Sequence, residues 1–103
     1  MTAPDRTFAA LADPTRRALF EAVARSGPAT ATELARSRPI TRQAVAKHLS
    51  VLQAVGLVAG ERVGRETRFT AAPGALEDIT RWVAEVGAAR DRRLERLQRQ
   101  LGR

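Results

Sequence analysis

The residues best equipped for chemistry lie in one stretch, Thr41 to Gly56. At about 100° per residue, Val45, Leu49 and Leu52 share one face of a helix there, and Gln43, Lys47 and Ser50 point the other way. Arg42 and Ala46 lie on a flank. A guanidinium pairs in bidentate fashion with the edge of guanine, and a carboxamide does so with adenine. An ammonium group neutralises phosphate. From Leu34 to Gly60 the chain has four basic residues (Arg36, Arg38, Arg42, Lys47) and no acidic one. These types at this spacing imply recognition of double-stranded DNA by a short helix lying in the major groove. Arg42 and Gln43, in its first turn, are the candidates for base edges. Thr41 and Lys47 are candidates for phosphate, with Ala44 and Ser50 beside them.

Catalysis finds no support. His48 is the only histidine and sits at the edge of the apolar stripe, as a residue at the rim of a core would. Ser50 points to another face, so the two make no nucleophile–base pair. No metal cluster or phosphate-cradling glycine loop is visible. With no cysteine, the chain has no disulfide, thiolate metal site or thiol switch.

Net charge is +7, from 18 Lys+Arg against 11 Asp+Glu, which favours a polyanionic partner through counterion release. No run reaches the length of a membrane span, and the first residues lack a secretory apolar region. The expectation is a soluble, cytoplasmic protein with no membrane partner and no cofactor. At 103 residues it reads as one domain, 1–103, with an aliphatic, alanine-rich core, since only Phe8, Phe20, Phe69 and Trp82 are aromatic.

The elements that must position the cationic helix follow from local signals. Residues 5–12 form a short helix with Phe8 and Leu11 on one side. Asp13-Pro14 is a cap followed by proline at the first helical position, opening a helix to about Ser26 with Ala18, Leu19, Ala22 and Val23 on its apolar face. Thr30-Ala-Thr-Glu33 fits a capping box for a helix over about 31–37, which Arg38-Pro39 ends. With Thr41 as the next cap, residues 31–55 form a helix-turn-helix. The period then becomes strand-like. Leu57–Val63 and Glu66–Ala71 flank Gly64-Arg65, a loop suited to a type II′ hairpin. This wing, about 57–71, puts Arg65 at its tip, Arg62 and Arg68 along its sides, and Phe69 inward. A helix over about 75–101 closes the chain. Its apolar residues Leu76, Ile79, Val83 and Val86 resume as Leu94, Leu97 and Leu101 after a gap holding Arg90 and Arg93. The fold class is mainly α with a β-hairpin wing, a winged helix-turn-helix of about five helices. The last helix is longer than so small a core can cover, so its leucines are expected to bury against a second copy. Trp82 reads as a core or dimer contact.

These residues resemble the ArsR-type winged-helix transcriptional regulators. The resemblance runs through Leu11-Ala-Asp-Pro-Thr-Arg-Arg17, Thr32-Glu-Leu-Ala35, Ala44-Val-Ala-Lys-His-Leu-Ser-Val-Leu52 and Gly56-Leu-Val58, and on to Phe69. It implies a homodimer joined through the first and last helices (Phe8, Leu11, Leu76, Ile79, Val83, Val86, Leu94, Leu97). It also implies binding to an inverted-repeat operator, usually as a repressor. Founding members sense metals through paired cysteines where this chain reads Glu33-Leu-Ala-Arg-Ser-Arg38. Others bind zinc on the last helix, which here has Glu77, Asp78 and Glu85 but no histidine. Metal sensing is therefore not expected, and a small-molecule effector stays unidentified. The competing reading is a winged helix that binds protein rather than DNA, against which the acid-free stretch argues.

Overall fold

The computed structural model describes residues 2–102. Its elements in order are α1 (Ala3–Ala12), α2 (Pro14–Ser26), α3 (Ala31–Arg36), α4 (Arg42–Ala54), β1 (Val58–Val63), β2 (Glu66–Ala71) and α5 (Glu77–Gln100). Each of the first four helices starts where a side-chain oxygen accepts the amide three residues on, which satisfies a donor the helix cannot. Thr2 caps α1, Asp13 caps α2, Thr30 caps α3 and Thr41 caps α4. At Thr30 the box is complete, because Glu33 also accepts from the Thr30 amide at 3.0 Å. A second box, Thr2 with Asp5, starts α1 two residues earlier than the sequence suggests. α5 starts two residues later, at Glu77. The chain first turns through Gly74 (φ 70°), and the Glu77 amide donates to the Gly74 carbonyl.

The core lies where α2, α3 and α4 meet the root of the hairpin. Leu19, Val45, Leu49, Leu52 and Leu57 are wholly buried there, with Val23, Leu34 and Val58 around them. On α2, Ala18 is exposed, a correction to the apolar face read from sequence, and Phe20 is the buried residue instead. α4 thus presents its apolar side inward and fixes which residues face out.

β1 and β2 pair antiparallel from Val58↔Ala71 to Val63↔Glu66. Gly64 has φ 64°, and among the described residues only glycines have positive φ, so Arg65 does not, as a type II′ turn with glycine first requires. The hairpin is anchored by a bridge outside it: Ala29 and Phe69 exchange both backbone hydrogen bonds, at 3.0 and 2.8 Å. That extra rung ties the wing to the segment before α3. Gly60 lies across from Phe69, and a Cβ there would stand 3.2 Å from the ring. Glycine is what lets the ring lie over the strand.

α5 has no buried residue. Its main contacts within the chain are with α1, where the Thr7 hydroxyl lies 3.1 Å from an Asp78 carboxylate oxygen and the Phe8 and Trp82 rings meet edge to face at 5.2 Å. Beyond them it projects. The radius of gyration is 18.5 Å, against about 13 Å for a compact chain of this length, and the long extent is 67 Å.

Candidate nucleic-acid interface

With Val45, Leu49 and Leu52 locked into the core, α4 exposes Arg42, Gln43, Ala46, Lys47 and Ser50. Ala44 is half-buried, so little of it can face a partner. Two of the polar candidates have local duties. The Thr41 hydroxyl oxygen accepts from the Ala44 amide at 3.1 Å, and the Ser50 hydroxyl donates to the Ala46 carbonyl at 3.1 Å. Ser50 keeps only acceptor capacity toward a ligand. Arg38, counted from sequence among the cationic residues, is half-buried and donates to the Leu34 carbonyl at 2.9 Å. It closes the end of α3, where a cation is favoured.

The hairpin folds back beside α4 and leaves a cleft of about 250 Å³ between them. From α4 come Arg42, Ala46 and Ser50, and from the wing Arg62, Arg65, Thr67 and Phe69. The start of α3 closes one end with Thr30 and Thr32. Arg62 and Thr67 are cross-strand partners and so share the face turned to the cleft. The Arg62 Nε donates to the Gly64 carbonyl at 3.2 Å, which steers its guanidinium along the turn. Thr32 and Thr67 carry no sequence signal for this place. Only the Ala29–Phe69 bridge, which draws the start of α3 against the wing, brings them there.

Arg68 lies elsewhere. It pairs in register with Glu61 on the opposite face of the hairpin, lies 3.8 Å from a Glu66 carboxylate oxygen, and feels the charge of Glu33. Arg42, Ser50, Arg62 and Arg65 therefore share one site, Gln43 and Lys47 face outward beside it, and Arg68 sits among carboxylates. The Glu33 carboxyl is held below its ordinary range by the Thr30 amide and then by the Thr30 hydroxyl. The Asp13 carboxyl is lowered first by the Arg16 amide at its cap. His48 is half-buried beside the core, as its place on the wheel implies.

Among the described residues, no group of three or more His, Cys, Asp or Glu could hold a metal ion. No helix is long and apolar enough to cross a membrane. Of the residues assigned to a dimer contact, Leu76, Val83, Val86, Leu94 and Leu97 are 41 to 55% exposed. Phe8 leans on Trp82 of its own chain, Leu11 packs against the core, and Ile79 is half-buried.

A helix-turn-helix domain family model matches residues 11–61. The transcriptional regulator Rv2034 of Mycobacterium tuberculosis is 44% identical over 73 residues, which cover 71% of this chain and 67% of that protein. The structure of an ArsR-like transcriptional regulator from Rhodococcus sp. RHA1 superposes with a TM-score of 0.81 at 40% identity, covering 94% of this chain and 91% of the other. The homodimeric winged helix-turn-helix DNA-binding domain of Mb0332 from Mycobacterium bovis superposes with a TM-score of 0.64 at 25% identity, over 86% and 79% of the two chains. These relatives are regulators, not enzymes. Residues 58–71 supply the wing that the sequence led one to expect, and the chain belongs to the ArsR-like winged helix-turn-helix transcriptional regulators.

Proposed function

We propose that this chain, as a single winged-helix domain, is a homodimeric repressor that reads an inverted-repeat operator without responding to metal. The observation that carries the reading is the common exposure of Gln43, Lys47 and Arg42 on α4 beside Arg62 and Arg65 of the wing. α4 would enter the major groove with Gln43 on base edges, and Lys47 would sit on phosphate. Metal independence rests on the donor set: the chain has no cysteine, and α5 has carboxylates without imidazole. The repressor sign is the family's usual one.

The second copy is argued from α5. Two pairs of its apolar positions, Leu76 with Leu101 and Val83 with Leu94, are symmetric about the midpoint between Ala88 and Ala89. Two antiparallel copies would set Leu76 against Leu101 and Val83 against Leu94. Arg90 would then face Gly87, a position with nothing within 4 Å of an added Cβ. Two-fold pairing would place the recognition helices in successive major grooves, about 34 Å apart. The homodimeric relative from Mycobacterium bovis supports the same assembly.

Gel shift on random-sequence duplex at low and raised salt tests the core of the reading. Binding that weakens steeply with salt is expected, and no shift at low salt would reject it. Selection of duplexes from a random pool should then return an inverted repeat. The Gln43→Ala chain should lose preference at one base pair per half-site. An unaltered motif would remove Gln43 from base readout.

A further inference from the structure

The major and minor grooves of a duplex are divided by a sugar–phosphate strand. If α4 lies in one groove and the wing tip in the next, that strand must pass between them. The space between them is the cleft described above. Its polar groups suit a phosphodiester: Arg42, Arg62 and Arg65 border it, and Thr32 and Thr67 add hydroxyls. Glu66 is the only carboxylate on its lining, and it already lies 3.8 Å from Arg68. The two ion pairs formed among the described residues are Arg16–Asp13 and Arg68–Glu66, so the three cleft arginines are left without carboxylate partners. Its lining includes the small side chains of Ala31 and Ala46, which leave room for a sugar edge. Gln43 and Lys47 do not line it.

We propose that the cleft seats one sugar–phosphate unit of the operator strand, with Arg42, Arg62 and Arg65 gripping its phosphate. This rests on the DNA-binding reading and changes one role within it. Arg42 is a positioning residue on the backbone, not a reader of guanine, and base readout in the first turn of α4 falls to Gln43. Guanidinium groups from two elements holding one phosphate also fix the angle between α4 and the wing, and so the register of Gln43 on the bases.

The test uses a duplex that the unaltered chain selects from a random pool, compared with a scrambled duplex. Arg42→Ala and Arg65→Ala should each flatten the slope of log K against log salt by less than about 0.9, the contribution of one whole phosphate contact. Each should weaken both duplexes by the same factor. The double variant should lose less than the product of the two single losses, because both side chains serve one phosphate. Random-pool selection with Arg42→Ala should return the original motif. A methylphosphonate walked along the duplex should weaken the unaltered chain at one phosphate per half-site to which Arg42→Ala is markedly less sensitive. A motif altered at one base pair with an unchanged salt slope would make Arg42 a base reader and overturn the proposal. So would a methylphosphonate profile identical for both chains. If the unaltered chain selects no duplex even at low salt, the DNA reading itself fails, and the proposal with it. Arg42 is exposed, so far-UV circular dichroism should show the variant folded.

Discussion

The uncovered stripe of α5 gives the most demanding prediction. Leu94 and Leu97 are 45% and 44% exposed, and neither is buried by its own chain. Burying a whole leucine side chain stabilises by about 1.5–3 kcal/mol, so covering the remaining part of each is worth about 1 kcal/mol. A two-fold contact counts each residue twice. Truncation of both to alanine leaves a methyl group in each place, so the double variant should lose about 3 kcal/mol of association, roughly a hundredfold in dimer Kd. Alanine is at least as good a helix former as leucine, and the core of the reading head holds no α5 residue, so the monomer should keep its fold. Sedimentation equilibrium over a concentration series reads the dimer Kd directly, with circular dichroism as the check on helicity. On DNA, an inverted-repeat duplex should lose affinity and an isolated half-site should not. An unchanged dimer Kd would refute the reasoning and move the interface off this stripe.

Lys47→Ala should weaken binding to all duplexes alike and flatten the salt slope, since an ammonium on phosphate carries no sequence information; in gel shifts, a loss confined to one sequence would contradict this. Thr30→Ala removes the cap of α3 and should cost about 1 kcal/mol in urea unfolding, with no change indicating that α3 is held by packing alone. Glu33→Ala should show a pH signature. The Glu33 carboxyl is lowered in the fold by the Thr30 amide and hydroxyl, so its contribution is present at neutral pH and lost as pH falls through the lowered value. The stability gap between variant and unaltered chain should therefore close in acid. A gap constant with pH would remove the charge from the account.

What was legible in the sequence is what neighbouring residues decide. Asp13-Pro14, Thr30 with Glu33, and Thr41 are caps whose partners lie three residues away, so they read directly. Gly64 names its turn by the same logic. The cleft was not legible, because it depends on Ala29 meeting Phe69 forty positions on, and neither residue carries a periodic or charge signal for that pairing. The alternative duty of Arg38 was hidden for a similar reason, since a lone arginine before proline looks the same whether it caps a helix or faces solvent. Arg68 is different: the hairpin register alone places it opposite Glu61, on the face away from Arg62. Strand alternation could have found that. Counting charge along the wing without assigning faces missed it.

The chain divides its apolar surface between two tasks. Leu19, Val45, Leu49, Leu52 and Leu57 are sealed inside the reading head, whereas no residue of α5 is buried. Folding of the head and the proposed pairing of copies would therefore draw on different side chains, and the affinity of pairing could change without cost to the head. Arg90 shows what constrains that pairing. It stands near the centre of the stripe, where burial of a lone charge is expensive. A parallel pair would set Arg90 against its twin, compounding desolvation with repulsion. The proposed antiparallel pair would offset the two and leave each guanidinium stem over a glycine, free to carry its charge to solvent along the helix edge. Gly87 costs the helix about 1 kcal/mol relative to alanine, which is hard to account for in an isolated helix. It is reasonable where an arginine of the partner must pass. In the proposed dimer the same residue pair that weakens the stripe would thus select one orientation of the two heads, and with it one orientation of the half-sites.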